Sequence, residues 1–163
     1  MPTPRSSLLT SQMAEQRRSS AARVIAFEGV DGAGKSTVIE LVAAHLRSRG
    51  VTVNMPRVGK EHRSKPTRMI RRLTRNRANL DLSGRAEMLL YAGREAQVLD
   101  EHVRPAIARG ETVLLDRSML TSVVLGAYGR GLDLASCEAI AAAASGGLQP
   151  DVTGMSIALN NTG

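Results

Sequence analysis

Apolar and polar positions along the chain occur in blocks that predict strands and helices in turn. Residues 24–27 form a short apolar run typical of a buried strand, and residues 37–49 have the apolar spacing of a helix. Residues 51–55 alternate as a second strand would, and the run at 112–116 is apolar until its last residue, an acid. Residues 152–159 are predicted to be the last strand. This alternation predicts an α/β fold in which a parallel β-sheet is flanked by helices on both faces.

The segments between these strands carry residues that start and stop helices. Residues 67–77 predict a very basic helix, and Ser83 predicts the N-cap of a long helix that Gly110 ends. Pro105 should kink or break that helix, because it lacks the N–H that the helical ladder needs. Asp133 predicts the start of a further, alanine-rich helix.

A glycine-rich sequence with the spacing of a phosphate-binding loop lies between the first strand and its helix. Gly29 is followed after four residues by Gly34, Lys35 and Ser36, which is the pattern G-x-x-x-x-G-K-[ST]. Glycine permits the tight turn that aims backbone N–H groups at an anion, and the helix that follows adds its positive end. In such loops the lysine reaches the β- and γ-phosphates and the hydroxyl holds Mg²⁺.

The loop is therefore predicted to bind ATP. A glycine-rich turn without a ligand is the alternative, but the motif also requires a strand before it and a helix after it, and both are predicted here. The residues assigned to ATP are Gly29, Val30, Asp31, Gly32, Ala33, Gly34, Lys35, Ser36 and Thr37.

The acid that ends the apolar run at 112–116 predicts a second part of the same site. A carboxylate at the carboxyl end of a buried parallel strand lies at the crevice where ligands bind. Asp116 is therefore predicted to organise Mg²⁺ and its waters together with Ser36. The alternative is an aspartate that caps the following helix, and the two roles are compatible.

The composition narrows the classes of protein that fit. The 163 residues suffice for one domain, and a hydrophobic content of 42% is ordinary for a packed core. No apolar run approaches the ~20 residues of a membrane span, so a cytoplasmic protein without a membrane partner is expected. A net charge of +7 suits an anionic ligand, but basic and aromatic residues are not interleaved, so nucleic acid is not expected. Cys137 is the only cysteine, which excludes an internal disulfide and a multi-cysteine metal site.

The chain divides into a tail and one domain. Residues 1–22 are rich in serine, arginine and small residues and are expected to be a disordered tail. Their scarcity of acidic residues leaves a transit peptide open as the alternative. Residues 23–163 are expected to form the domain that carries the phosphate loop.

Four segments occur in an order and at separations that are found together in one family. The first is residues 27–37, and the second is residues 89–94, with Pro105, Ala106 and Gly110 further on. The third is Asp116-Arg117, and the fourth is residues 129–132, followed by residues 150–153. From about Arg23 to Thr153 the chain resembles the thymidylate kinases, which are P-loop nucleoside-monophosphate kinases. The resemblance implies transfer of the γ-phosphoryl group of ATP to a nucleoside monophosphate, with dTMP as the leading acceptor and Mg²⁺ as cofactor, in dTTP biosynthesis.

The resemblance also implies roles at matching positions. The catalytic positions are Asp31, Lys35 and Arg117. The positions that match acceptor-binding residues are Asp31, Arg57, Leu90, Arg94, Arg117 and Arg130. Leu90 stands where the family has a phenylalanine that stacks on thymine, and Tyr91 lies one position further on. Ser118 replaces the tyrosine of the family's Asp-Arg-Tyr motif.

The resemblance leaves the acceptor and the activity open. One alternative is a P-loop kinase for another nucleotide or a small metabolite. Another is a catalytically weak nucleotide-binding remnant. A GTPase is less favoured, because the sequence has no Asn-Lys-x-Asp guanine motif. After Thr153 the family continues with a strand, an arginine-rich lid and further helices. The chain is therefore expected to be truncated at its C-terminus, with a genuine short paralogue as the alternative. Low turnover is expected, because nothing in the sequence requires Arg130, the candidate substitute for the lid arginine, to reach the γ-phosphate. A homodimer is left open.

Overall fold

The computed structural model describes residues 22–56, 64–79 and 81–156. The predicted disordered tail, apart from Ala22, lies outside these ranges, as does the end of the predicted last strand. The strands are β1 (Val24–Glu28), β2 (Val53–Asn54), β3 (Thr112–Asp116) and β4 (Val152–Met155). The helices are α1 (Lys35–Ser48), α2 (Lys65–Arg75), α3 (Gly84–Val98), α4 (Arg104–Ala108), α5 (Met119–Val124) and α6 (Leu134–Ser145). A 3-10 turn spans Arg77–Asn79, and π turns span Leu99–Val103 and Leu125–Gly129.

The four strands form one parallel sheet in the order β2-β3-β1-β4. The two apolar strands β1 and β3 lie in the middle, with Val24 opposite Val113 and Phe27 opposite Asp116. Strands with neighbours on both sides are buried on both faces, which is why their sequences are nearly continuous apolar runs. The predicted parallel sheet between helical layers is confirmed.

Helices cover both faces of this sheet. On one face, side chains of β1 and β3 pack against the end of α3, the π turn after it and α4; the buried members are Val24, Ala26, Val98, Leu99, Val103, Ala106, Val113 and Leu115. On the other face they pack against α1, through Phe27, Ile39, Ala43 and Leu114. Because side chains alternate along a strand, neighbouring residues at the strand ends also point to different layers.

Two predicted boundaries differ from the structure for local reasons. The second strand is only Val53–Asn54, because the N–H of Val51 donates to the carbonyl of Leu46 and so belongs to the turn after α1. The basic helix begins at Lys65 instead of residue 67, since Ser64 caps it and Pro66 occupies its first turn.

The predicted caps Ser83 and Asp133 are confirmed, whereas the N-cap of α5 is Ser118 and not Asp116. The Ser83 hydroxyl accepts a hydrogen bond from the N–H of Ala86 at 3.2 Å, and the Asp133 carboxylate accepts one from Ser136 at 2.8 Å. Before Pro105 the long helix widens into a π turn, where the N–H of Arg104 bonds to the carbonyl of Leu99. The helical path continues through this turn, so the proline leads to a local adjustment and not a break.

Cys137 is 0% exposed and packs within the cluster that joins α3, α5 and α6. Within residues 22–56, 64–79 and 81–156, every helix falls short of the length or the apolarity that crossing a bilayer would require.

Candidate active site

The loop that joins β1 to α1 depends on glycine at both of its ends. Gly34 has φ 76° and is the N-cap of α1, a left-handed conformation that favours glycine. A Cβ on Gly29 would lie 2.2 Å from the carbonyl oxygen of Ser156, so a larger residue has no room there. The loop therefore closes tightly over the amino end of α1, where free backbone N–H groups and the helix dipole favour an anion.

The side chain of Lys35 folds back into this loop. Its ammonium donates to the carbonyls of Gly29 at 3.0 Å and Val30 at 2.8 Å, and the residue is only 7% exposed. The first turn of α1 contains no acidic residue. The positive charge is thus held at the amino end of α1, where backbone N–H groups also favour an anion.

Asp116 lies on the same face of the sheet as α1. It is opposite Phe27 in the parallel register, and Phe27 and Leu114 pack against α1. Its Oδ1 atom is buried and has no hydrogen-bond partner among the described residues, although a buried carboxylate oxygen normally has one. Ser36, the other residue predicted to hold Mg²⁺, is exposed in the first turn of α1, the helix that packs on this face.

The donor set here fits magnesium bound through a nucleotide. Among the described residues no three His, Cys, Asp or Glu side chains are grouped in a way that could hold a metal ion. Mg²⁺ is commonly held by one or two protein oxygens, with phosphate oxygens and water completing its shell. The unpartnered Oδ1 of Asp116 and the hydroxyl of Ser36 meet that requirement.

Arg117 connects the end of β3 to the phosphate loop. Its Nη2 atom donates to Oδ1 of Asp31 at 2.5 Å, and the same oxygen lies 3.9 Å from Nζ of Lys35. The hydrogen bond from Arg117, followed by the charges of Arg117 and Lys35, lowers the pKa of Asp31. The structure therefore brings together the three side chains that sequence reasoning assigned to catalysis.

Arg94 on α3 presents a guanidinium without a full set of partners. Its central carbon lies 5.5 Å from the centre of the Tyr91 ring, and its Nε atom is buried with no hydrogen-bond partner in the described part of the chain. Burial lowers the pKa of Arg94, while the charge of Glu95 acts in the opposite direction. A buried guanidinium with an unpaired N–H is a strong donor for an anion.

A cavity of about 190 Å³ opens at Tyr91, the residue whose ring Arg94 contacts. It is lined by Gly84, Glu87, Met88, Tyr91, Ser122, Leu125, Gly126, Gly129 and Arg130. Apolar side chains and one aromatic ring form most of the wall, and Ser122 supplies a hydroxyl. Ligand pockets usually exceed about 300 Å³, so a cavity of this size suits one ring-sized part of a ligand.

The other predicted acceptor residues are distributed unevenly. Leu90 is absent from the cavity wall, which contains Tyr91 instead. Arg130 lines the cavity, but its Nε atom donates to Glu87 at 2.6 Å. Arg57 lies outside the described residues.

The site also contains residues that sequence reasoning did not assign. The Nη1 atom of Arg71 on α2 is buried, and none of the residues that the structure describes is its hydrogen-bond partner. Burial lowers the pKa of Arg71, and the charges of Arg75 and Arg94 lower it further. The strongly basic pattern of α2 was the available signal for this arginine. Glu28 and Glu95 are 3% and 5% exposed, and nothing in their spacing distinguishes them from surface acids.

Comparison with known proteins gives a consistent result. The family model described as thymidylate kinase matches residues 27–156. The chain is 39% identical over 133 residues to the thymidylate kinase of Chlorobium luteolum, covering 80% of this chain and 59% of that protein. It is 39% identical over 132 residues to the enzyme of Desulforudis audaxviator, covering 79% and 58%. The chain thus spans less than two thirds of the length of these curated relatives.

Proposed function

The chain belongs to the thymidylate kinase family, and from that membership we propose that it transfers the γ-phosphoryl group of ATP to dTMP, forming ADP and dTDP. The observation that carries the proposal is the meeting of Lys35, Asp31 and Arg117, with 3.9 Å and 2.5 Å between the carboxylate and the two cations. These groups come from separate strand ends and surround one point beside the phosphate loop. A place in dTTP biosynthesis, in the cytoplasm, belongs to the same proposal.

The donor ATP would lie with its phosphates in the loop that follows β1. Backbone N–H groups at the start of α1 would bind the phosphate oxygens, and Lys35 would exchange its carbonyl partners for the β- and γ-phosphates. Ser36 and Asp116 would hold Mg²⁺, which when bound neutralises charge on the phosphate oxygens.

The acceptor would lie on the other side of Asp31, toward α3. Arg94, whose Nε atom has no hydrogen-bond partner among the described residues, and Arg117 would bind the monophosphate. The base would enter the cavity that Tyr91 and Ser122 line, against the ring of Tyr91 and within reach of the Ser122 hydroxyl.

Transfer requires one bond to form and one to break. An oxygen of the acceptor phosphate attacks the γ-phosphorus, and the bond from that phosphorus to the β–γ bridging oxygen breaks, leaving ADP. The ionised acceptor needs no general base, so the protein contributes position and positive charge. Lys35 and Arg117, on either side of Asp31, are the cations that we assign to the transferring group.

The test measures ADP release from MgATP in the presence of dTMP, dUMP, thymidine or no acceptor. We expect ADP release to depend on dTMP and to be lost in Lys35→Ala. The same rate with and without dTMP would contradict the proposal and favour a nucleotide-binding remnant. A higher rate with another monophosphate would keep the reaction and change the acceptor.

A further inference from the structure

The backbone of Arg117 has an unfavourable conformation. Its φ of 75° is the only positive value among the non-glycine residues that the structure describes. A side chain at Cβ disfavours this left-handed region, so it persists only where neighbouring contacts hold it. The residue that is proposed to meet the acceptor phosphate is therefore the residue whose backbone needs support.

Glu28, the last residue of β1, supplies much of that support. Its Oε1 atom accepts hydrogen bonds from the backbone N–H of Ser118 at 2.8 Å and from the Ser118 hydroxyl at 2.7 Å. The N–H of Arg117 donates to the carbonyl of Phe27 at 2.9 Å. The backbone before and after the Arg117 Cα is thus tied to the end of β1.

Glu28 also reaches the Arg117 side chain through one hydroxyl. Oγ1 of Thr121 donates to Oε2 of Glu28 at 2.5 Å and accepts from Nη1 of Arg117 at 3.3 Å. A threonine hydroxyl has a single proton, so its donation to Glu28 leaves the lone pairs available to the guanidinium. The other terminal nitrogen, Nη2, donates to Asp31.

We propose that Glu28 is a positioning residue for the acceptor phosphate. Through Ser118 it holds Arg117 in the left-handed conformation, and through Thr121 it orients the guanidinium. Glu28 is 3% exposed and its hydrogen bonds are used by these two residues, so it acts through Arg117 and not on the ligand. The inference rests on the proposed function, because it takes Arg117 to bind the acceptor phosphate.

A simpler role for Glu28 would be support of the start of α5. The Ser118 hydroxyl that donates to Glu28 also accepts from the N–H of Leu120 at 3.2 Å, as an N-cap. Loss of that role alone would lower stability and weaken all acceptor-site ligands by the same factor. A positioning role predicts a selective loss of the contact with phosphate.

The test compares the affinities of dTMP and thymidine by calorimetry, because their ratio reports the phosphate contact. Glu28→Gln keeps one oxygen for Ser118 but replaces the acceptor of Thr121 by an amide NH₂. We expect dTMP affinity to fall about tenfold, as for loss of one charge-assisted hydrogen bond, and thymidine affinity to change less than about twofold. Thr121→Val should act in the same way, and Thr121→Ser, which keeps the hydroxyl, should retain the wild-type ratio.

A double-mutant cycle separates positioning from stability. In the Arg117→Ala background, Glu28→Gln should leave the ratio unchanged, because the side chain that it positions is gone. Ser136→Ala removes a hydroxyl that donates to Asp133 at the start of α6, and it should preserve both affinities as a matched control. The midpoint of urea unfolding would be measured for each variant.

Two outcomes would overturn the inference. One is a folded Glu28→Gln protein with the wild-type ratio of affinities. The other is an effect of Glu28→Gln that persists undiminished without Arg117. If the wild-type chain binds dTMP no better than thymidine, the proposed acceptor site fails first and the inference fails with it.

Discussion

The Arg117 guanidinium donates to the Asp31 carboxylate with 2.5 Å between Nη2 and Oδ1, although 86 residues separate the two in the chain. They meet because β1 and β3 are parallel neighbours, so the segments that follow them leave the sheet at the same edge. The hydrogen bond from Arg117 and its charge lower the pKa of Asp31, so this carboxylate stays ionised at neutral pH and down to a lower pH than an isolated aspartate. One contact thus joins the phosphate loop to the arginine that is proposed to bind the acceptor.

Replacing Lys35 by alanine should remove the charge that the donor phosphates require. We expect MgATP affinity to fall by about 3 kcal/mol, the upper range for hydrogen bonds to a charged group. The exposed Lys65 on α2 provides the control, since Lys65→Ala removes the same charge away from the loop. Calorimetric titration with MgATP measures both, and equal affinities of the two variants would refute the donor site.

Arg94→Ala and Arg117→Ala should each weaken the monophosphate selectively. The expected loss for dTMP is about 1.5–3 kcal/mol per arginine, because each guanidinium makes charge-assisted hydrogen bonds. MgATP affinity should barely change in Arg94→Ala, because Arg94 is assigned to the acceptor alone. Arg85, exposed on the same helix as Arg94, is the matched control. If Arg85→Ala weakens dTMP as much as Arg94→Ala does, the effect reflects overall charge and the acceptor assignment is wrong.

Tyr91, and not Leu90, should bind the base. Tyr91→Ala is expected to weaken thymidine and dTMP alike, by about 1–3 kcal/mol for loss of stacking on an aromatic ring. Leu90→Ala should have a smaller effect, since Leu90 does not line the cavity. Competition binding with the two ligands measures both variants, and the reverse order would restore the position predicted from the family.

The left-handed backbone of Arg117 should invert the usual ranking of alanine and glycine. Arg117→Gly is expected to be more stable than Arg117→Ala by about 1 kcal/mol, because only the latter retains a Cβ at φ 75°. At Glu138, exposed in the interior of α6, glycine should instead be less stable than alanine by about 1 kcal/mol. Urea unfolding of the four variants tests the difference, and the same ranking at both positions would count against a strained Arg117.

Stability should fall as pH rises because of Glu95. Burial raises its pKa from 4.5 to about 7, partly opposed by the charge of Arg94, and the residue is 5% exposed. The folded state then binds this proton more tightly than the unfolded chain does, so the free energy of unfolding declines as pH rises from 4.5 to about 7. The decline amounts to about 3 kcal/mol at 1.36 kcal/mol per pKa unit.

Glu95→Gln should remove this part of the pH dependence. Its stability relative to wild type should grow by up to about 3 kcal/mol from pH 4.5 to 8, following the shift in pKa. Glu138→Gln, at an exposed position of α6, should keep the wild-type profile. Urea titrations at several pH values decide the matter, and parallel profiles for wild type and Glu95→Gln would show that Glu95 titrates normally.

Local sequence accounts for the phosphate loop and the order of elements. Gly29, Gly34 and Lys35 act through backbone freedom and a charge within one short segment, so their spacing carries the information. The caps at Ser83 and Asp133 are equally local, because each side chain bonds a backbone N–H three residues ahead. Runs of apolar residues identified β1 and β3, since both faces of a central parallel strand are buried.

The pairing of distant side chains depends on packing that the spacing of residues does not encode. Successive residues of a helix differ by about 100° around its axis, so the packing of α3 against α5 and α6 placed Tyr91, and not Leu90, in the cavity wall. The register of β1 against β3 brought Glu28 to Thr121 and Arg117 to Asp31. The burial and hydrogen bonds of these side chains depend on these contacts, and the contacts form only when the helices pack on the sheet.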